Sequence, residues 1–467
     1  MRRGFHRDQP SALTAGQCSR RQHARLCRGV PSAKASEANT SGPKRGAEVW
    51  RRPTVTTAAN ANVRLLGYAA PSRGGSAVRC RNVPLTSVTI RGYRSVQGLT
   101  LPVEDCSVFL GANGVGKTNL YRALGLLRCA AEGTITRAIA EEGGVASVLW
   151  AGARRRGMPV RLILRAHFDE QAYGGEVGLP HCYEIEIGLR QPTEAAFAVE
   201  PLIKEERLTV RQGRREVVMM ERRGPLVAMR NDDGVRESHK NGVLPSETAL
   251  AAFRAGARYP ELAAVRRELL DWRLYHDFRT DAGSPVRQPC HAITTPTLSQ
   301  DGHDLAAVLA TLFVIRQDTT ELAAAIDDAF PGAQLRAGED GSWCRLSLKF
   351  PDMPRAFAAH ELSDGTLKYL CLLGALMGYR LPSLIALNEP EASLHPSLLP
   401  PLARLIGRAA RSARIWIVTH SEALAAALRD ETGRPARRVF KRDGATSIEG
   451  LTLAGEFRDD REEGRSS

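Results

Sequence analysis

An α/β fold with a mixed-sheet core is what this sequence predicts, and three observations carry the expectation. A short apolar run, Ser107-Val108-Phe109-Leu110, opens directly into the glycine-rich stretch Gly111-Ala112-Asn113-Gly114-Val115-Gly116-Lys117-Thr118. Asn119 to Leu124 then read as the first turns of a helix, so strand, turn and helix follow in order. Two further apolar runs, Ser383–Leu387 and Arg414–Val418, stop abruptly at polar residues, as buried strands do.

In chain order, residues 1–84 lack helical or strand periodicity and are rich in Arg, Ser, Ala, Gly and Pro. They hold sixteen Lys/Arg against three acids, whereas the remaining residues hold 49 against 48. The net charge of +14 is therefore a property of this segment, and it says nothing of a DNA-binding face on the rest. Three readings compete for it: an extension from a misplaced start, a disordered basic arm, or an acid-poor targeting peptide. Residues 461–467 are expected to be a disordered tail. No apolar run is long enough to span a bilayer, so no membrane association is expected. Nine scattered cysteines without a C-x-x-C pair fit a reducing, cytoplasmic setting.

Order is expected over residues 85–460. Ser87–Tyr93, Arg161–Arg165 and Tyr183–Leu189 read as strands, with Leu208–Val210 and Glu216–Met220 as further candidates. Residues 160–300 thus read as an insertion, an antiparallel sheet followed by helices. The helical part is expected from about Glu247 to Phe278, with Ser246 as its N-cap and Leu262, Val265 and Leu269 on one face. Asp304–Ile315 and Thr319–Phe330 are further helices, and Asp340-Gly341 is a hairpin turn into Cys344–Phe350. No heptad run extends through the region.

The glycine-rich stretch fits G-x-x-x-x-G-K-[ST] between a strand and a helix, the context in which it wraps nucleotide phosphates. Its glycines let backbone N–H groups turn toward a phosphate, and the helix start adds its positive dipole end. Asn113 to Thr118 are the candidate ATP contacts. Lys117 reaches β/γ oxygens and the Thr118 hydroxyl ligates Mg²⁺. Asn388-Glu389-Pro390-Glu391 closes the run Ser383–Leu387, where hydrolysis needs a carboxylate to orient water. Glu389 suits that role. Asn388 stands where a metal-side acid is usual, and its amide oxygen can accept a hydrogen bond only from a Mg²⁺-bound water. His420, after Arg414–Val418, can reach a γ-phosphate. Glu361-Leu362-Ser363-Asp364-Gly365-Thr366 precedes an apolar helix, Leu367–Met377. Ser363 or Asp364 can cap that helix; alternatively Ser363, the Gly365 amide and the helix dipole address a γ-phosphate held by another subunit.

Together, G-A-N-G-V-G-K-T, L-S-D-G-T, L-N-E-P-E-A-S-L-H-P and V-T-H-S resemble the ABC-class ATPases of the RecF/SMC-like group. Within it the chain is most similar to compact bacterial AAA-type ATPases without long coiled coils, over roughly residues 85–439. The resemblance implies an ABC-type head that hydrolyses ATP with Mg²⁺ in an ATP-sandwich homodimer, acting in DNA repair or metabolism. Carried over by motif, Ser363, Asp364 and Gly365 contact the partner copy's nucleotide, Glu389 and His420 serve catalysis, and Arg94 of Gly92-Tyr93-Arg94-Ser95 lies near the nucleotide. DNA or a DNA-processing protein is the implied partner. A slow nucleotide switch, or a phage-defence or toxin-system ATPase with a partner effector, is the alternative. No Q-loop glutamine stands out, and too little chain follows Ser421 for a Toprim nuclease domain, so nuclease activity is not expected.

Overall fold

The structure is a computed structural model that describes residues 84–458, apart from 154–156, 158–159, 170–179, 190–199, 241, 255 and 316–318. The basic segment and the C-terminal tail lie outside the described residues.

The centre is a six-stranded sheet in the order Arg273–Tyr275, Leu384–Asn388, Arg414–Thr419, Cys106–Leu110, Arg437–Arg442, Ala445–Ile448. Its first five strands run parallel, and the last turns back antiparallel on its neighbour. A parallel sheet is covered on both faces, which explains why its inner strands Leu384–Asn388, Arg414–Thr419 and Cys106–Leu110 are mostly apolar. Alternation divides those side chains between two cores. Phe109, Leu384, Ala386, Trp416 and Val418 join one cluster, while Val108, Ile385, Leu387, Ile415 and Ile417 join the other. The first core holds the helix Lys117–Glu132; the second holds the helix Asp364–Met377.

The antiparallel sheet is larger than expected and is not confined to the middle of the chain. Its eight strands run in the order Val96–Pro102, Leu85–Tyr93, Arg161–Phe168, His181–Leu189, Pro201–Gln212, Arg215–Arg223, Leu226–Arg230, Arg236–Lys240. The strands expected as an insertion thus extend the N-terminal hairpin, because Val88–Arg91 pairs with Ile163–Ala166. Period-two burial sets the faces: Leu162, Leu164, Ala166 and Phe168 point into the first core. The other face carries cross-strand ion pairs, Arg161–Glu186 at 2.6 Å and Arg165–Glu184.

The single helical region expected from Glu247 to Phe278 is instead two helices and a strand. Thr248, rather than Ser246, caps the helix Ala249–Ala252, its side chain accepting from the Ala251 N–H. Pro260 starts a new helix, Pro260–Asp271, in which Leu262, Val265 and Leu269 are buried. Arg273–Tyr275 then joins the central sheet beside Ile385–Leu387. Tertiary pairing supplies partners for its backbone groups and overrides local helical preference. A third sheet pairs Trp343–Lys349 with Gln334–Asp340, Cys290–His291 and Phe357–Ala358, and Gly341 makes the expected turn at φ 63°.

Candidate functional site

The carboxyl ends of neighbouring parallel strands bring the sequence-distant motifs together. Leu110 pairs with Thr419, and Asn388 with Val418. Two hydrogen bonds continue the ladder past the strand ends, from Gly111 N–H to Thr419 O at 3.3 Å and from Glu389 N–H to Val418 O at 2.7 Å. Gly111, Glu389 and His420 therefore leave one edge of one sheet, where ligands bind in open α/β sheets.

Two glycines of the loop are sterically required. A Cβ on Gly111 would lie 2.4 Å from Val439 O, and Gly116, at φ 102°, would press one within 2.1 Å of Thr446 Oγ1. Ala112, Asn113 and Gly114 are exposed, whereas Lys117 is 4% exposed and donates to Ala112 O at 2.7 Å. Burial lowers the Lys117 pKa, and the charges of Glu389 and Glu391 oppose that shift. The ammonium is thus anchored on a loop carbonyl, within the field of two carboxylates.

Glu389 takes a positive φ of 48°, a conformation uncommon outside glycine. His420 Nδ1 lies 3.6 Å from Glu389 Oε1 and 3.4 Å from Glu391 Oε1. Glu391 Oε1 also accepts from Thr419 Oγ1 at 2.5 Å and from the His420 N–H at 3.1 Å. Its Oε2 is buried without a hydrogen-bond partner, and so is Asn388 Oδ1. These two unpaired buried oxygens, on the strand end and the turn that follows it, are the hard donors a hydrated cation takes. Among the described residues no group of three or more His, Cys, Asp or Glu forms a metal site. An ion would bring further oxygens with it, as nucleotide phosphates provide.

Ser363 caps the helix Asp364–Met377, accepting from the Thr366 N–H at 3.2 Å. Ser363 and Asp364 are exposed. Gly365 packs close to the turn after Glu389: a Cβ there would sit 2.9 Å from Ser393 O.

The family described as "AAA domain, putative AbiEii toxin, Type IV TA system" matches residues 201–426. That span contains the Ser363 turn, the acidic strand end and His420, and the phosphate loop precedes it on the same sheet. Over that span the chain is similar to this AAA-domain family. It is 35% identical over 85 residues to the DNA replication and repair protein RecF of Renibacterium salmoninarum, 17% of this chain and 21% of that protein. The match therefore spans about a fifth of that relative. Among solved structures it is similar to the SMC head domain from Thermotoga maritima (15% identity, 79% of this chain and all of that one, TM-score 0.38). It is also similar to the Smc head domain with a coiled coil and joint derived from Pyrococcus yayanosii (10% identity, 83% and 100% covered, TM-score 0.45).

The site also depends on contacts that the motifs do not name. Thr446 donates from Oγ1 to Val115 O at 2.9 Å and contacts Ser95 Oγ at 2.7 Å, which accepts from Asn119 Nδ2 at 2.8 Å. The C-terminal hairpin thus fixes the phosphate loop from 331 residues away. Arg94 neighbours this network, at φ 47°, but its guanidinium is held by Glu142, with Nη2 to Oε2 at 2.8 Å. Tyr93 donates to the same carboxylate at 2.7 Å. Asp364 is paired with Arg287 at 2.7 Å. From the sheet edge, His276 contacts the Tyr121 ring of the P-loop helix, and Asp277 pairs with Lys368 of the Ser363 helix at 3.1 Å. No motif could have flagged Thr446, Glu142, Arg287, His276 or Asp277, because each acts through a partner far away in sequence.

Proposed function

We propose that this head binds ATP with Mg²⁺ and hydrolyses it in a homodimer, each copy's Ser363 turn meeting the nucleotide on the other copy's phosphate loop. One observation carries the reading: Lys117, Glu389, Glu391 and His420 converge at one sheet edge, while Ser363 and Asp364 stand exposed at a helix start. The N–H groups of Asn113 to Thr118 would cradle phosphates, and Lys117 would exchange the Ala112 carbonyl for phosphate oxygens. Thr118 and, through water, Asn388 would hold Mg²⁺, which supplies charge neutralisation at the β/γ oxygens. Glu389 would orient the attacking water, with His420 placed by Glu391 beside it. Arg94 would act near the nucleotide only once freed from Glu142.

The RecF match supports work on DNA. The toxin-system wording of the matching family, together with an uncharged Asn388, supports a second reading: a slow ATP-dependent switch serving a partner effector. Phosphate release from wild type, Glu389→Gln and Lys117→Ala, with and without duplex DNA, tests both. Hydrolysis predicts loss of turnover by about 10²–10⁴-fold in Glu389→Gln. It also predicts loss of nucleotide binding in Lys117→Ala. Wild type no faster than Glu389→Gln would leave only the switch, and DNA stimulation would favour the repair reading.

A further inference from the structure

We infer that Arg287 is a positioning residue that sets the Ser363 turn for the nucleotide of a second copy. The inference rests on the two-copy reading above and adds a named residue to it. The Arg287 side chain is 10% exposed, yet its nearest charged partner, Asp364, is at the surface. Its fork is engaged on every nitrogen. Nε donates to Thr280 O at 2.7 Å. Nη1 faces three carbonyls of the turn before Ser363: Leu362 at 2.8 Å, His360 at 3.0 Å and Ala359 at 3.4 Å. Nη2 donates to Asp364 Oδ1 at 2.7 Å.

These contacts join two segments with different jobs. Thr280 lies five residues beyond Tyr275, the end of the edge strand beside Leu384–Asn388. The carbonyls of Ala359 to Leu362 belong to the short 3₁₀ turn that delivers Ser363 as helix cap. One rigid, planar guanidinium therefore fixes the approach of the Ser363 turn relative to the nucleotide sheet. A lysine offers a point charge and cannot span both segments. Little slack remains on the other side, since Gly365 lies against Ser393 O. With four carbonyls turned on it, the same cation also holds the Asp364 carboxylate at the first helical position, where it complements the helix dipole.

The prediction is asymmetric, because Arg287 shapes the half-site that a chain lends rather than the one it keeps. Arg287→Gln and Arg287→Lys should each bind a fluorescent ATP analogue as wild type does, within about twofold, while turnover falls roughly tenfold or more. Mixing either variant with Lys117→Ala should restore activity. The mixed dimer pairs the intact phosphate loop of the Arg287 variant with the intact Ser363 turn of the Lys117 variant. Asp364→Asn, which removes only the exposed carboxylate, should lower turnover less and leave analogue binding unchanged; it serves if the Arg287 variants fold poorly. Normal turnover in the Arg287 variants, loss of their own analogue binding, or no recovery on mixing overturns the inference while wild type still dimerises. A wild type that stays monomeric with ATP overturns the two-copy reading, and this inference with it.

Discussion

Glu206, in the antiparallel sheet, and Glu391, behind the acidic strand end, are both buried carboxylates, and the protein treats them differently. Both oxygens of Glu206 are occupied: Leu250 N–H and Tyr183 OH donate to one at 2.9 Å, and Ala249 N–H donates to the other at 2.6 Å. Arg222, fully buried, faces the second oxygen at 3.7 Å. Glu391 gathers Thr419, the His420 N–H and the His420 ring on one oxygen and leaves the other without a partner. A saturated buried carboxylate ties elements together; here it caps the helix Ala249–Ala252 onto the sheet. A half-used one at the carboxyl edge of a parallel sheet is organised toward a ligand.

The comparison is most sharply broken by mutation. Glu206→Ala strands Arg222 and two N–H groups, so unfolding in denaturant should show a loss of about 3–5 kcal/mol. Glu391→Gln should cost far less stability and instead reduce phosphate release, because it disturbs the placement of His420. Equal destabilisation by the two would erase the distinction drawn between them.

A third buried carboxylate sharpens it through pH. Glu268 is 5% exposed and accepts from Trp272 Nε1 at 3.2 Å, and burial pushes its pKa up to about 7. Its folded pKa lies above the ordinary carboxylate value, so the folded state holds the proton longer than the unfolded chain. That contribution to stability is complete below pH 4.5 and is lost as pH rises through about 7. Relative to Glu268→Gln, wild type should lose about 3 kcal/mol across that window. Parallel stability curves for the two proteins would show that Glu268 is not protonated in the fold.

The sequence was most readable where chemistry needs contiguous residues. The phosphate loop, the acidic strand end and the strand before His420 are each local patterns, and the parallel sheet sets them side by side. The Asp340-Gly341 hairpin and the buried face of Leu262, Val265 and Leu269 are similarly local. What stayed hidden is non-local. Arg273–Tyr275 is a strand only because Ile385–Leu387 lies next to it, and Thr248 caps a helix whose start is fixed by Glu206 of another element. Thr446, Glu142 and Arg287 carry no motif, and their roles exist only in contacts spanning 48 to 331 residues. Arg94 shows the limit from the other side: its place near the loop follows from the motif, but the Glu142 pairing that occupies its guanidinium does not.

In the proposed function two copies close over nucleotide. Light scattering on Glu389→Gln, with and without ATP and Mg²⁺, tests it most directly. A monomer is expected alone and a dimer with both ligands, lost again when Ser363→Arg is added. A mass that stays monomeric at saturating ATP and Mg²⁺, in protein that demonstrably binds the nucleotide, would contradict it.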